Sequence, residues 1–252
     1  MQDSSLWEVI GPALAASLMI ALTHAPLGME VLRRGIIFID LAVAQIAGLG
    51  VILAHTVIHE PSVWVVQSAA LGCAVLSSLL FRFMERHHPA QQEAIIGCTF
   101  VLTASLALLL LADHPHGGEE IQHLLSGQLL FTGWGDIAAH APVYGVILCV
   151  WFLWPSIRKG IGFYLAFAFA ITSSVQLAGV YVVFASLILP ALAVPLHSHH
   201  PLVPAWVCAL LAVIAGLAIS VWTDMPTGPV IVITYMVSAV GVRYMSSQLQ
   251  TT

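Results

Sequence analysis

The sequence predicts an all-α polytopic membrane protein with a single transmembrane domain over residues 1–252. Of its 252 residues, 60% are hydrophobic and only 8% are charged, and the mean hydropathy is +0.98. Soluble domains carry about 25% charged residues, so twelve acids and seven bases are too few to cover a soluble globule of this size. Apolar runs of about 20 residues, the length that crosses a bilayer core of about 30 Å, recur along the chain.

Seven of these runs are well separated, and each predicts one membrane-spanning helix: residues 6–23, 35–58, 62–81, 94–112, 141–157, 202–222 and 228–245. An eighth region, residues 161–196, would extend about 54 Å as one helix, which is too long for a single span. We expect it to fold back near residues 173–179, the stretch SSVQLAG. The sequence therefore predicts about 8–9 transmembrane helices. The more polar segment 119–139 predicts an outer amphipathic or re-entrant piece.

Basic residues predict the orientation of the spans, because cytoplasmic loops carry an excess of Lys and Arg. With 161–196 as a hairpin, all the basic positions fall on one side. The C-terminus and loop 196–201 are then cytoplasmic, and the N-terminus is external. The N-terminus lacks the basic start of a secretory signal peptide, so we expect the first span to be retained. The basic positions are Arg33/Arg34, Arg82/Arg86, Arg158/Lys159 and Arg243.

The strongest candidate for a functional residue is Asp40, an ionisable side chain within the apolar stretch FIDLAVAQIAGLG (residues 38–50). An Asp at the centre of a membrane helix costs ~2.5–3.5 kcal/mol on insertion scales, and ionisable residues inside spans are functional candidates by default. The alternative is an Asp near the inner interface, paired with Arg33 or Arg34. Gln45 lies about 140° around a regular helix from Asp40, so a joint site of the two needs a broken helix or a second helix.

Histidines suggest metal chemistry at the outer side. Twelve are present, and His55 and His59 are four residues apart, hence on one helix face at the outer end of a span. His114 and His116 lie in the next outer loop, among acidic residues. Imidazole and carboxylate groups suit Zn²⁺ and similar ions. Ordinary histidines at a polar interface are the alternative, and it applies equally to the inner cluster His197, His199 and His200.

Several catalytic classes lack their motifs in this sequence. There is no phosphate-binding loop of the Walker type and no GxSxG, and HEPSV lacks the second His of a zincin. GWGD (residues 133–136) fits the GxGD pattern of intramembrane aspartyl proteases, in which Asp136 and Asp40 would share a proton. That reading is a distant alternative, because the two residues are expected near opposite interfaces and the companion tyrosine–aspartate motif is missing.

Five stretches in order resemble one family, the membrane permease subunits of ABC-type zinc/manganese importers, or ZnuB-like proteins. PLGMEVLRRGIIFIDLAVAQIAGLG is similar to the family's basic pair followed by Asp in GDxxxH, and EAIIGCTFVLTASLALLLL to its DxxIGxxF helix. GQLLFTGWGDI is similar to LFGDIL, QLAGVYVVFASLILPALAV to xxVGxLLVxALLxxPAAxA, and TDMPTGPVIVI to DxPSGPxIVL. These stretches cover residues 26–50, 93–111, 127–137, 176–194 and 223–233.

The resemblance implies a type II permease architecture, like that of the vitamin-B12 importer, and a role for Asp40. In the family, an Asp and the His four residues later line the metal path within the membrane. Asp40 matches that Asp, but Ala44 stands where the His would be, with Gln45 one position further on. We expect Asp40 to meet the ion, Gln45 to be a poorer ligand than imidazole, and the outer histidines, His55 and His59 foremost, to restore part of the affinity.

The resemblance also implies partners: two cytoplasmic ATPase subunits, an extracytoplasmic metal-binding protein and a second copy of the permease, in a bacterial inner membrane. The stretch FASLILPALAVP would then lie at the cytoplasmic side and supply the ATPase coupling segment, with Ser186, Leu187, Pro190 and Ala191. We predict a metal-ion permease subunit, with zinc favoured by the histidines, no bound cofactor and no bond chemistry of its own. The alternative of another class is a stand-alone secondary transporter or channel for divalent cations.

Overall fold

The computed structural model describes residues 3–58, 60–112, 125–127, 129–194 and 201–248. Within these residues the chain forms eight long helices and no strand. By length and composition, all eight are able to cross a membrane, which confirms the predicted all-α polytopic fold. The helices are α1 (Asp3–Arg34), α2 (Ile39–Val57), α3 (Val63–His87), α4 (Gln92–Leu110), α5 (Trp134–Leu153), α6 (Ile161–Leu192), α7 (Leu202–Thr223) and α8 (Thr227–Gln248).

Helix α6 is the centre of the bundle. In its most apolar window 78% of residues are buried, against 17% for α4 and 22% for α3 and α5. Two apolar clusters pack against it: one joins it to α1, α5, α7 and α8, and the other to α1, α2, α3, α4 and α5. The outer helices therefore present apolar side chains outwards, as expected for surfaces that face lipid.

The predicted fold-back is present as a sharp break in α6 at Gly179. Its backbone angles, φ 77° and ψ 164°, are non-helical. In an unbroken helix Ser174 and Ser186 would lie about 18 Å apart along the axis. Instead, both hydroxyls are hydrogen-bonded to the ring of His24, at 2.9 and 2.7 Å. The chain therefore turns back at Gly179 into two arms, a first arm of residues 161–178 and a second arm of residues 180–192.

The arginines of α1, of α3 and of the turn after α5 meet at one end of the bundle, as the predicted topology requires. Arg34 donates to Glu85 of α3 at 2.7 Å and to the carbonyl of Arg158 at 2.9 Å. A cleft at the same end is lined by Arg33, Arg158 and Pro201. We call this the inner end. Gly179 packs at the opposite end, against the backbone of Gly127, and Ser126 beside it contacts the start of α8.

The predicted spans differ from the helices mainly at their ends. The fifth begins at Trp134 rather than residue 141, because the Asp136 carboxylate accepts the Gly133 N–H at 2.9 Å and so caps the helix start. The last part of the polar segment 119–139 is therefore membrane helix. A short 3₁₀ turn, Leu129–Phe131, precedes it. Residues 119–124 and 128 lie outside the described residues.

We expect the break in α6 to require a glycine at position 179. The ψ of Gly179 together with its positive φ falls in a region that is essentially confined to glycine, and an added Cβ would overlap the backbone of Gly127. Gly179→Ala should therefore lower the free energy of unfolding by about 1–3 kcal/mol or more. Thermal unfolding in detergent measures this. Gly72→Ala is the matched control, because a Cβ there meets nothing within 4 Å. Equal melting temperatures for the two variants would contradict the break.

Candidate functional site

Asp40 lies in the first turn of α2 and is 1% exposed. Neither of its carboxyl oxygens makes a hydrogen bond of good geometry among the described residues, although the N–H groups of Asp40 itself and of Leu41 approach them. The amino-terminal end of a helix favours negative charge, but a buried carboxylate with so little compensation still carries a large desolvation penalty. An added cation or proton would complete the compensation of Asp40.

The alternative in which Asp40 pairs with an arginine is wrong for the described chain. The Arg34 guanidinium is held by Glu30 at 2.9 Å and by Glu85 at 2.7 Å, and it lies over the ring of Phe163. Arg33 lies 4.0 Å from Glu30 and is half-exposed. The arginines find partners on α1 and α3, so Asp40 is left without one.

Glu93, in the first turn of α4, comes next to the start of α2. Its Oε1 accepts the N–H of Phe38 at 3.2 Å, two residues before Asp40. Its Oε2 is buried and has no partner in the described chain. Glu93 is close enough to Asp40 for the two negative charges to repel one another. Sequence reasoning missed Glu93, because it was considered only as part of a family motif.

Gln45 and Ala44 do not complete a site with Asp40. Helix α2 is continuous from Ile39 to Val57, so the break that a joint site of Asp40 and Gln45 needs is not found there. Ala44 is 2% exposed and belongs to an apolar cluster. Gln45 as a ligand therefore stays a prediction that would need another helix to supply the remaining donors.

The predicted outer histidine cluster falls largely outside the described residues. His55 is exposed near the end of α2. No group of three or more His, Cys, Asp or Glu that could hold a metal occurs in the described ranges. An outer metal site therefore remains a prediction. The histidines that lie outside these ranges are His59, His114, His116, His123, His197, His199 and His200.

The protease reading is not supported by the positions of its two aspartates. Asp136 starts α5, whose other end carries Trp151 in the cleft of the inner end. Asp40 lies near the inner end. Glu93, which bonds the start of its helix, follows Gln92 in the chain. Gln92 donates to Tyr164, and the Arg34 guanidinium at the inner end lies over the Tyr164 ring. A helix of 20 residues separates the two ends by about 30 Å. Two carboxylates so far apart cannot share a proton.

A second polar centre, which sequence reasoning missed, surrounds His24 in the middle of α1. His24 is fully buried, and its Nδ1 and Nε2 lie 2.7 Å from Ser186 Oγ and 2.9 Å from Ser174 Oγ. Tyr144 of α5 reaches the same Ser174 hydroxyl at 2.9 Å. A histidine inside an apolar run is a candidate by the same rule that selects Asp40, so the signal was present in the sequence.

Every polar side chain of this centre has a hydrogen-bond partner. The Ser174 hydroxyl lies within hydrogen-bond distance of Tyr144, of Nε2 of His24 and of the Ala170 carbonyl at 2.7 Å, and the Ser186 hydroxyl reaches Nδ1 of His24 and the Val183 carbonyl at 2.9 Å. A neutral ring has one donor and one acceptor nitrogen, so one of the two serines accepts from the ring and the other donates to it. The centre has the properties of a buried structural network, in contrast to the unpartnered carboxylate of Asp40.

The residues predicted to contact the ATPase are buried in the second arm of α6. Ser186 and Leu187 are 0% exposed and Ala191 is 1% exposed, and Pro190 is buried with them. These side chains contact the chain's own helices, so a coupling surface would have to use other residues nearby. Coupling through this stretch remains a prediction.

The eight long apolar helices of the described chain are those of a multi-pass membrane protein. A model of the ABC 3 transport family matches residues 6–159 and 157–245. The chain belongs to this family. None of the curated proteins matches it in sequence.

Two solved structures share the fold. PsaBC from Streptococcus pneumoniae, in complex with Fab, has a TM-score of 0.69 at 18% identity, over 94% of this chain and 90% of that one. An inward-facing metal-chelate type ABC transporter has a TM-score of 0.70 at 16% identity, over 97% and 88%. At these identities the likeness shows a shared fold alone.

Removal of the Asp40 charge is expected to stabilise the fold in the absence of metal. An unpartnered buried polar group costs about 1–3 kcal/mol, and more when charged, so Asp40→Asn should raise the free energy of unfolding by about 1 kcal/mol. Thermal unfolding in detergent with a chelator measures it. Asp136→Ala serves as a control with the opposite sign, because it removes the cap of α5 and should lower the free energy of unfolding by about 1 kcal/mol. A lower melting temperature for Asp40→Asn would indicate a partner for this carboxylate.

Removal of the His24 ring is expected to be strongly destabilising. His24→Ala removes two buried hydrogen bonds, each worth about 0.5–1.5 kcal/mol, and leaves a cavity in the bundle centre, which adds to the loss. His55→Ala, at an exposed histidine, should have little effect. The measurement is a double-mutant cycle of thermal stabilities with Ser186→Ala. Additive losses, with no coupling between His24 and Ser186, would argue against the network.

Proposed function

We propose that this chain is the membrane permease subunit of an ATP-driven importer of a divalent metal ion, with zinc as the cargo that its histidines favour. The observation that carries the proposal is Asp40, a buried carboxylate in a membrane helix, neither of whose oxygens makes a hydrogen bond of good geometry within the described part of the chain. Membership of an ABC transport family supports it. In such a site a passing cation would supply the missing charge compensation.

The proposal includes partners that the chain itself does not provide. The sequence has no nucleotide-binding loop, so ATP hydrolysis belongs to a separate ATPase at the inner end. An extracytoplasmic protein would deliver the ion at the other end, and two copies of the permease would form the path in a bacterial inner membrane. The proposed mechanism is alternating access, in which ATPase motion opens the path first to one side and then to the other.

A weak internal site suits transport better than a tight one. An ion in a permeation path must bind well enough to enter and must also leave. The lack of imidazole at Ala44 lowers the number of strong donors near Asp40. The proposed site at Asp40 would therefore hold the ion by charge, with little of the geometric selectivity of a structural zinc site.

The proposal is tested by uptake of radioactive zinc into proteoliposomes that contain this chain and its ATPase, with the binding protein outside. We expect uptake only when ATP is present with the ATPase, and at least a tenfold slower rate for Asp40→Asn. Asp224→Asn is the control, because Asp224 is exposed and has a left-handed backbone, which Asn tolerates. Equal uptake without ATP would overturn the importer and favour a stand-alone transporter. ATP-driven uptake unaffected by Asp40→Asn would remove Asp40 from the path.

A further inference from the structure

We propose that Glu93 is the second carboxylate of the ion site at Asp40, so that α2 and α4 together hold the cation. The inference rests on the proposed function and names a ligand for it. Three of the five buried side-chain oxygens that lack partners in the described chain belong to these two residues: both oxygens of Asp40 and Oε2 of Glu93. The remaining two are single hydroxyls elsewhere.

The two carboxylates are brought together by the start of α2. Glu93 Oε1 accepts the Phe38 N–H, which fixes the Glu93 side chain across the first turn of the helix that carries Asp40. The second oxygen of Glu93 is buried and makes no hydrogen bond of good geometry among the described residues, although the Ile37 N–H approaches the carboxylate. One oxygen thus anchors the side chain, and the other remains available to an ion.

No cation of the described chain compensates this pair. The four ion pairs in those residues involve Arg33, Arg34, Arg82, Glu30 and Glu85, and none includes Asp40 or Glu93. Asp40 is buried and Glu93 is half-buried, and two neighbouring carboxylates repel one another unless a proton or cation lies between them. A divalent ion would compensate both charges at once and use the unbonded oxygens as ligands.

The donor set indicates how the ion would be held. Carboxylate oxygens with water are the ligands that Mn²⁺ and similar ions accept, whereas imidazole adds preference for zinc. Two carboxylates leave the remaining coordination positions of the ion to water or to other oxygen ligands. The site is therefore expected to bind Mn²⁺ measurably, which gives a spectroscopic probe that is independent of transport.

The test is Mn²⁺ titration of the full-length chain in nanodiscs, in which electron paramagnetic resonance reports the free ion. Glu93→Gln keeps an oxygen to accept the Phe38 N–H but loses the charge, and we expect its Mn²⁺ affinity to fall at least tenfold with a melting temperature that does not fall. Asp40→Asn should lose affinity to at least the same extent. Glu60→Gln is the control, because Glu60 is an exposed loop carboxylate.

Glu93→Ala separates an ion ligand from a helix cap. If Glu93 only caps α2, Glu93→Gln should bind Mn²⁺ like the wild type, and only Glu93→Ala should lower stability. That result, with Asp40→Asn still losing affinity, would overturn the inference and leave the proposed function intact. Wild-type protein that binds no Mn²⁺ would also overturn the inference, while ATP-driven zinc uptake would still support the proposed function.

Discussion

The structure depends on one imidazole that joins two arms of a broken helix. His24 of α1 bonds Ser174 on the first arm of α6 and Ser186 on the second. Backbone groups freed at Gly179 and hydroxyls in the bundle centre have no water to bond in a bilayer core, so they must be satisfied by neighbouring helices. Because α6 is the most buried helix and contacts both apolar clusters, the position of the other helices follows from how His24 holds these arms.

The buried polar groups fall into two kinds with different physical consequences. Around His24, each donor has an acceptor, so the network stabilises one arrangement and gives little reason for an ion to enter. At Asp40 and Glu93, three buried oxygens have no partner in the described chain. A protein that keeps an unpartnered carboxylate forgoes stability there, which is common where binding or transport requires it. Whether a buried polar group has a partner therefore distinguishes the structural network around His24 from the proposed ion site more clearly than its polarity does.

Much of the fold follows from the sequence, because apolar runs of bilayer length are a strong signal. The fold-back of residues 161–196 followed from length alone, and its position near Gly179 from the polar SSVQLAG stretch. Asp40 was found by the cost of its charge. The pairing of Asp40 with an arginine was wrong. Proximity in sequence does not reveal that Glu85, which lies on another helix, binds the Arg34 guanidinium. Glu93 was missed for the same reason: its relation to Asp40 exists only after α2 and α4 pack.

Tight packing around the second arm of α6 limits how motion can pass through the chain. Gly28 of α1 approaches so closely that an added Cβ would overlap the carbonyl oxygen of Leu187. With no side chain between the two backbones, and with Ser186 bonded to His24, the arm and α1 have little freedom to slide past one another. Packed interiors shift between discrete arrangements and deform little. A displacement applied at the inner end of this arm would therefore move α1 with it, and α1 ends at Arg34, beside the helix start that carries Asp40.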